Sequence, residues 1–386
     1  MKDILLVFGG KSYEHDISVV TASQIFSKTK LKDIKLIPLY VSRENLLYVY
    51  SSDKFDLKDF SKSSFSPKNK KFKEVAFVSG EENKLFIKTR IGLKEYLSVE
   101  YAVFACHGQV GENGKLISLF ELMGIKTSAG NFDSLAVCMN KFLFKQAMKG
   151  LRIPTLSGFK IVKSVYENDK DTYASKLRFL HFPVIMKAVS GGSSIGVFVV
   201  KSKEEFDEKL KEVFEFDSEV LIEKYLPNSR EFNVAVLGTI DDYEVSEIDE
   251  PLKEHEVLSF SDKYMSGGEK SVKIDKSLKN SMASSLRKFP ADISHQLKEK
   301  IQSYAGKIFE GLNLCGVVRI DFLYDEQNDR LYVCEVNSIP GSLSYYFFPK
   351  NRVLVNDLVI KLIDCAERNS NNKSLFNEEF STSVLD

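Results

Sequence analysis

Arg319-Ile320-Asp321 and Glu335-Val336-Asn337 lie in two apolar runs near the C-terminus that read as β-strands. Side chains alternate along a strand, so Arg319 and Asp321 share one face, and so do Glu335 and Asn337. On neighbouring strands, the two carboxylates and the amide oxygen would converge. All are hard oxygen ligands, suited to Mg²⁺ bridging nucleotide phosphates. Arg319 beside them could hold a transferring phosphoryl group or the charge of a tetrahedral intermediate. The bland alternative is a surface salt-bridge ladder. Flanking Val317, Val318, Phe322 and Val333 speak for burial instead, where acids without a partner are costly.

A second candidate is Ser190-Gly191-Gly192-Ser193-Ser194-Ile195-Gly196, between two apparent strands at 183–187 and 197–200. Its glycines would let backbone N–H groups approach phosphate oxygens, and its serines add donors. An ordinary hairpin turn is the competing reading. No Lys-Ser/Thr follows the glycines, so this is not a Walker A loop. The lysine, Lys187, comes from the strand before the loop. Gly9-Gly10 closes the first strand without GxGxxG spacing, so the dinucleotide fingerprint fails. It still sets Glu14 and Ser18 at the ligand-binding edge of a parallel sheet, although Glu14 could simply face solvent. His107 opens the glycine-rich run 107–114 after another strand, where it is either structural or in contact with ligand.

The elements that must position these residues are legible in outline. Strand 4–8, a helix over 18–26, strand 35–40 and strand 101–106 predict an opening parallel α/β unit. Residues 43–90 are Ser- and Lys-rich, with short β-like pieces, and read as an insertion. A single helix is expected from Asp133 to Lys149, carrying Lys141. Ser202 and Glu205 have capping-box spacing at the head of a helix over 202–214. Strands at 220–223, 232–237, 319–324 and 331–335 predict an antiparallel second half. Residues 246–285 read as a long polar loop, of the kind that is usually a lid. The tail after Glu367 is expected to fray.

Composition excludes several classes. The 386 residues carry 54 basic and 54 acidic side chains, unlike a dedicated nucleic-acid binder. No apolar run approaches the length of a membrane span, and the first apolar stretch is too short for a signal peptide. The five cysteines include no CxxC pair. Reduced thiols and a cytoplasmic protein are therefore the expectation.

Taken in order, seven segments resemble the D-alanine–D-alanine ligases of the ATP-grasp superfamily. They are Gly9-Gly10-Lys11-Ser12-Tyr13-Glu14-His15-Asp16-Ile17-Ser18, 107–114, Met139-Asn140-Lys141, 183–196, 223–232, Phe260-Ser261-Asp262-Lys263-Tyr264 and 319–341. They run nearly the length of the chain, leaving only 43–90 and the tail uncovered. The resemblance implies mixed α/β and α+β architecture in three domains. These are an N-terminal parallel α/β unit (1–127), a small central ATP-grasp domain (128–214), and a C-terminal ATP-grasp domain (215–386) carrying the lid at 246–285. It also implies a homodimer through the first domain.

The resemblance assigns roles residue by residue. Lys141, Lys187, Ser193 and Ser194 would meet the nucleotide phosphates. Glu223, Tyr225 and Leu226 would line the adenine pocket, and Glu231 would accept the ribose hydroxyls. Asp321, Glu335 and Asn337 would bind two Mg²⁺ (or Mn²⁺) ions. Glu14 would hold the ammonium of the first D-alanine and join Ser193 and Tyr264 in a trio that clamps the lid. His107 and Lys263 would also lie near substrate, and Arg319 with the Gly341 N–H would stabilise the oxyanion. The implied chemistry is attack of a carboxylate on the γ-phosphate of ATP, giving an acyl phosphate, which the amine of a second D-alanine then attacks. Closure must exclude water from that intermediate.

The departures are informative. Nine positions after Asn337, where the family has a serine for the second substrate's carboxylate, this chain has Tyr346, which could donate a hydrogen bond from further out; otherwise Ser342 or Ser344 would be the substitutes. Asn113 and Ala188 replace a usual aspartate and proline. Tyr264 favours an amine as second nucleophile. The rival readings are a ligase joining D-alanine to D-serine or D-lactate or making an unrelated dipeptide, a non-catalytic nucleotide binder and a nicotinamide dehydrogenase. The intact set Lys141, Lys187, Arg319, Asp321, Glu335 and Asn337 argues against the last two.

Overall fold

The computed structural model describes residues 1–193, 195–252, 287–348 and 354–374. Three sheets organise them. The first is built on β1 (Lys2–Gly9), whose residues Ile4, Leu5, Leu6, Val7 and Phe8 are all fully buried. A continuous apolar run of this kind suits a strand covered on both faces. β1 pairs in parallel with β2 (Ile34–Val41) and β7 (Tyr101–Phe104), and β7 with β8 (Lys126–Thr127).

The 43–90 stretch, read as an insertion with short β-like pieces, carries regular strands. It supplies β3 (Leu47–Tyr50), β4 (Phe72–Ala76) and β5 (Lys84–Thr89), and β6 (Gly92–Ser98) follows directly. These extend the sheet antiparallel to the order β6-β5-β4-β3-β2-β1-β7-β8. An aromatic cluster holds the extension, with Tyr50–Phe60 centroids at 4.8 Å and Phe55–Phe60 stacked at 4.9 Å. Its rings are scattered among Ser and Lys at no regular period, so pattern reading found short β-like pieces, 47–50 among them, without resolving every strand.

The helix expected over Asp133–Lys149 is two helices, Phe132–Met139 and Lys141–Gly150. Asn140 is extended between them (φ −89°, ψ 98°), and its side chain accepts from the Leu143 N–H at 2.9 Å. A capping asparagine thus starts a new helix where continuation was expected. The Lys141 N–H donates to Val189 O at 3.0 Å, tying that helix end to the second sheet.

The second sheet has the order β11-β10-β12-β9, all antiparallel. Its strands are β9 (Gly158–Val162), β10 (Val184–Ala188), β11 (Val197–Val200) and β12 (Glu219–Lys224). On β10, Val184, Met186 and Ala188 enter a core with Phe206 and Leu210 of helix Lys203–Val213. Alternation leaves Ile185 and Lys187 on the other face. The capping box differs from expectation: Glu205 accepts from the Lys201 N–H, not from that of Ser202.

The third sheet follows the order β15-β14-β13-β16-β17. It comprises β13 (Arg230–Thr239), β14 (Asp242–Pro251), β15 (Arg287–Lys288), β16 (Gly316–Asp325) and β17 (Arg330–Asn337). The stretch expected to be loop from 246 is therefore strand as far as Pro251. The rest of it, with Lys263 and Tyr264, lies outside the described residues apart from Leu252, and so does Ser194.

The C-terminal helix runs Val355–Ser374, well past Glu367. Side chains of this helix reach the first sheet and its flank, Glu367 pairing with Lys126 at 2.6 Å and Lys373 with Glu121 at 2.8 Å, while the rest of the tail expected to fray, 375–386, lies outside the described residues. Leu358, Val359 and Leu362 join the same core as β1. All five cysteines are free, and no described helix is long and apolar enough to cross a membrane.

Candidate functional site

β16 and β17 bring the acidic cluster together. Arg319 stands opposite Asn337, and Asp321 opposite Glu335. The register shifts between Asp321 and Phe322. This bulge lets Val333 and Val336 both enter the core while Cys334 and Glu335 face a cleft, re-aiming side chains as bulges do. Asp321 is almost fully buried and held from three sides. Arg319 forks onto both its oxygens at 2.8 Å, the Asn337 amide donates at 3.1 Å, and the Asn233 amide, turned so that its nitrogen rather than its oxygen faces the carboxylate, donates at 3.1 Å.

The cleft lies between the second and third sheets. Lys187, Gly191 and Ser193 line one side, and Asp321 and Glu335 the other. Tyr225, Leu226 and Glu231, on and just after the link between the sheets, complete its wall. Lys141 reaches in from its helix, donates to the Gly191 carbonyl and approaches Glu335 at 3.6 Å. Glu223 is different. Its carboxylate is buried behind the wall, paired with Lys145 and, at 2.7 Å, with Lys187. Burial opposes ionisation of both Glu223 and Lys187, but each is outweighed by its charged partners. Glu223 is held below, and Lys187 above, the ordinary value.

The first sheet contributes the cleft's mouth. Glu14, at the start of helix His15–Lys28, is buried and accepts from the Ser193 hydroxyl, 179 residues away in sequence. Glu112 accepts from the Gly108 N–H at 2.7 Å and the Ile339 N–H at 3.2 Å. Burial, then the nearby Glu14 carboxylate, pushes its pKa upward.

His107 is committed to structure. Its Nδ1 lies 2.7 Å from the Ile339 carbonyl, which can only accept, so Nδ1 donates. Nε2 then accepts from Thr21 Oγ1 at 2.8 Å, and that oxygen accepts the Ser342 N–H at 3.1 Å. Burial lowers the His107 pKa to about 4. The network pins the turn carrying Gly341, in which Ser342, Leu343 and Ser344 adopt φ of 53°, 48° and 49°. Left-handed backbone at non-glycine residues costs roughly 1–3 kcal/mol each and clusters at functional sites.

Of the proposed substitutes for the missing serine, Ser342 donates to Gln24 at 2.5 Å. Ser344 is fully buried, and its hydroxyl has no hydrogen-bond partner among the described residues. Tyr346 packs under the Arg287 guanidinium, 4.6 Å from the ring centroid. Arg287 Nη1 lies 3.7 Å from Asp249, whose carboxyl burial pushes up to about 6. Sequence reading missed Glu112, Lys145, Asn233, Asp249 and Arg287. Glu112 sat within a flagged loop, and Lys145 one helical turn after Lys141. The other three carried no local signal.

A gripping cleft between two antiparallel sheets, closed at its mouth by a parallel α/β unit, is what the sequence resemblance implied. Family models for the D-ala D-ala ligase N-terminus and C-terminus match residues 3–129 and 147–364. The chain belongs to the D-alanine–D-alanine ligase family. Among its relatives, the D-alanine–D-alanine ligase of Thermosipho melanesiensis is 33% identical over 366 residues, covering 94% of this chain and 93% of the relative. That of Sulfurovum sp. is 34% identical over 347 residues, covering 90% and 89%. The VanG D-Ala:D-Ser ligase from Enterococcus faecalis superposes with TM-score 0.77 at 25% identity, covering 95% of this chain and 99% of that one. As in the ligase family generally, the architecture is ATP-grasp.

Proposed function

We propose that this protein is an ATP-dependent D-alanine–D-alanine ligase, forming D-alanyl-D-alanine, ADP and phosphate for peptidoglycan precursor synthesis. The observation that carries the reading is the facing pair Asp321–Glu335 across one cleft from Lys141 and Lys187. Two cations and two acids around one void suit a polyanion with its counter-ions, whereas a salt-bridge ladder would need no void.

The donor set fits Mg²⁺ or Mn²⁺: two carboxylates and an amide oxygen, all hard. Nucleotide phosphate oxygens are hard donors of the same kind. When bound, the cations would supply charge neutralisation between phosphate and attacking carboxylate. Asp321, Glu335 and Asn337 would hold them. Lys141 and Lys187 attract the phosphates, Tyr225 and Leu226 offer flat and apolar surface to the base, and Glu231 accepts from the ribose.

Glu14 holds the ammonium of the first D-alanine so that its carboxylate meets the γ-phosphate in line, a task of positioning rather than covalent catalysis. Displacement of ADP leaves an acyl phosphate. The second amine adds to its carbonyl as the free base, Arg319 and the Gly341 N–H stabilise the oxyanion, and phosphate departs, taking up the proton that the nitrogen loses. The Glu14–Ser193 contact joins the nucleotide loop to the substrate side, and Lys263 and Tyr264 belong to the segment assigned to closing the site. We place the enzyme in the cytoplasm as a homodimer through its first domain, on family resemblance.

The test is product analysis with ATP, Mg²⁺ and D-alanine, followed by D-serine or D-lactate as second substrate. D-Alanine-dependent release of ADP with matching dipeptide supports the reading. ATP turnover indifferent to D-alanine would sink it. A preference for D-serine would change only the acceptor, at the corner where Tyr346 and Arg287 stand.

A further inference from the structure

The glycine-rich loop between β10 and β11 is held from behind by a turn on the chain that leads into β12. After helix Lys203–Val213 the backbone closes on itself, the Phe216 and Asp217 N–H groups both donating to Val213 O, at 3.0 and 3.2 Å. Asp217 Oδ2 accepts from the Ser190 N–H at 2.7 Å, and Oδ1 from the Glu219 N–H at 3.1 Å. One residue earlier in the loop's approach, the Val189 N–H donates to Glu219 O at 3.0 Å. Two successive N–H groups thus fix the start of the loop. At its far end Gly196 has φ of 69°, and an added β-carbon would lie 3.2 Å from the Phe216 ring. That ring also meets Tyr13, the neighbour of Glu14, edge-on with centroids 6.2 Å apart. Gly191, Gly192, Ser193 and Ile195 line the cleft, whereas Phe216 and Asp217 do not.

A run of glycines has many backbone conformations open to it, and ordering such a loop on a ligand costs affinity. Anchors at both ends remove much of that cost before the ligand arrives. Asp217 suits the task because a carboxylate is acceptor-only, and each of its oxygens meets an N–H. We propose that Asp217 and Phe216 are positioning residues for nucleotide binding: they hold the two ends of the glycine-rich loop so that its middle faces the phosphates. This rests on the nucleotide reading above. Because Tyr13 packs on Phe216, the same turn keeps the loop in register with Glu14. Loosening it should therefore let ATP be hydrolysed without peptide formation.

The experiment measures calorimetric binding of a non-hydrolysable ATP analogue to the full-length protein, KM and kcat for ATP, the ratio of ADP to dipeptide released, and the melting temperature. Asp217→Ala is expected to weaken the analogue about tenfold, the scale of one hydrogen bond to a charged group. KM for ATP should rise by a similar factor with kcat less affected, and ADP should exceed dipeptide. Phe216→Ala should act in the same direction from the far end of the loop. Asp217→Asn keeps one acceptor oxygen but turns an amide N–H towards a donor, so its effect should fall between wild type and Asp217→Ala.

A merely structural role would lower the melting temperature and, through a smaller folded fraction, kcat. It would leave KM, analogue affinity and the ADP ratio where they are in the wild type. That pattern would overturn the proposal, and so would wild-type values throughout in folded Asp217→Ala or Phe216→Ala protein. If Asp217→Ala does not fold, Asp217→Asn decides by the same measurements. A wild-type protein that binds the analogue but forms no D-alanyl-D-alanine would fault the ligase reading, and the analogue affinities of the variants would then decide this one.

Discussion

Gly192 presses so closely on Glu14 that a β-carbon at that position would collide with the Glu14 carboxylate. The contact joins the glycine-rich loop of the second sheet to the helix start beside the first, and the adjacent Ser193 hydroxyl donates to the same carboxylate. Gly108 approaches from the other side, where an added β-carbon would lie 2.8 Å from Glu14 Oε2. Glycine is needed here for proximity rather than for turning the chain, since Gly192 does not have a positive φ.

Gly192→Ala should therefore uncouple nucleotide from substrate. We expect kcat/KM for D-alanine to fall roughly 10- to 100-fold, an effect of misplacement rather than lost chemistry. The melting temperature should stay close to wild type. Steady-state kinetics with a thermal melt would check it, and unaltered kinetics would show that the loop moves away without consequence.

Glu335→Ala is expected to abolish turnover at saturating Mg²⁺ while preserving the circular dichroism spectrum. Glu335 shares the cleft with Asp321 and stands opposite it across the strand pair. Near-normal activity would refute its assignment as a cation ligand.

The buried His107 makes stability depend on pH. Its folded pKa is about 4, against about 6.5 in an unfolded chain. The unfolded state thus binds more protons between those values, so stability rises with pH across this window. The contribution is complete above pH of about 6.5 and is lost as pH falls towards 4. It is worth at most about 3 kcal/mol. Denaturant melts from pH 4 to 7 should show the slope, and His107→Gln should flatten it while lowering stability at neutral pH. A slope that persists in the variant would assign the effect to other groups.

Tyr346 should govern the acceptor more than the donor substrate. Tyr346→Phe is expected to raise the KM of the second D-alanine several-fold, the usual scale for one hydrogen bond, with little change in the first. Parallel changes in both constants, measured across a range of D-alanine concentrations, would mean that the ring only packs against Arg287.

Much was legible from residues alone because the decisive chemistry sits on strands. Alternation places Arg319 with Asp321 and Glu335 with Asn337 on common faces, whatever the fold. The buried run of β1, the glycine-rich loop after Lys187 and the collinear order of the segments were local properties too. What could not be read was anything set by distance across the chain. Only pairing put Asp321 opposite Glu335 rather than one step aside. Only packing committed His107 to Thr21 and Ile339, sank Glu223 between Lys145 and Lys187, and gathered scattered rings from 48 to 72 into a core. Periodicity and propensity act over a few residues, whereas burial and charge compensation depend on neighbours the backbone brings from far away, and those the tertiary structure alone decided.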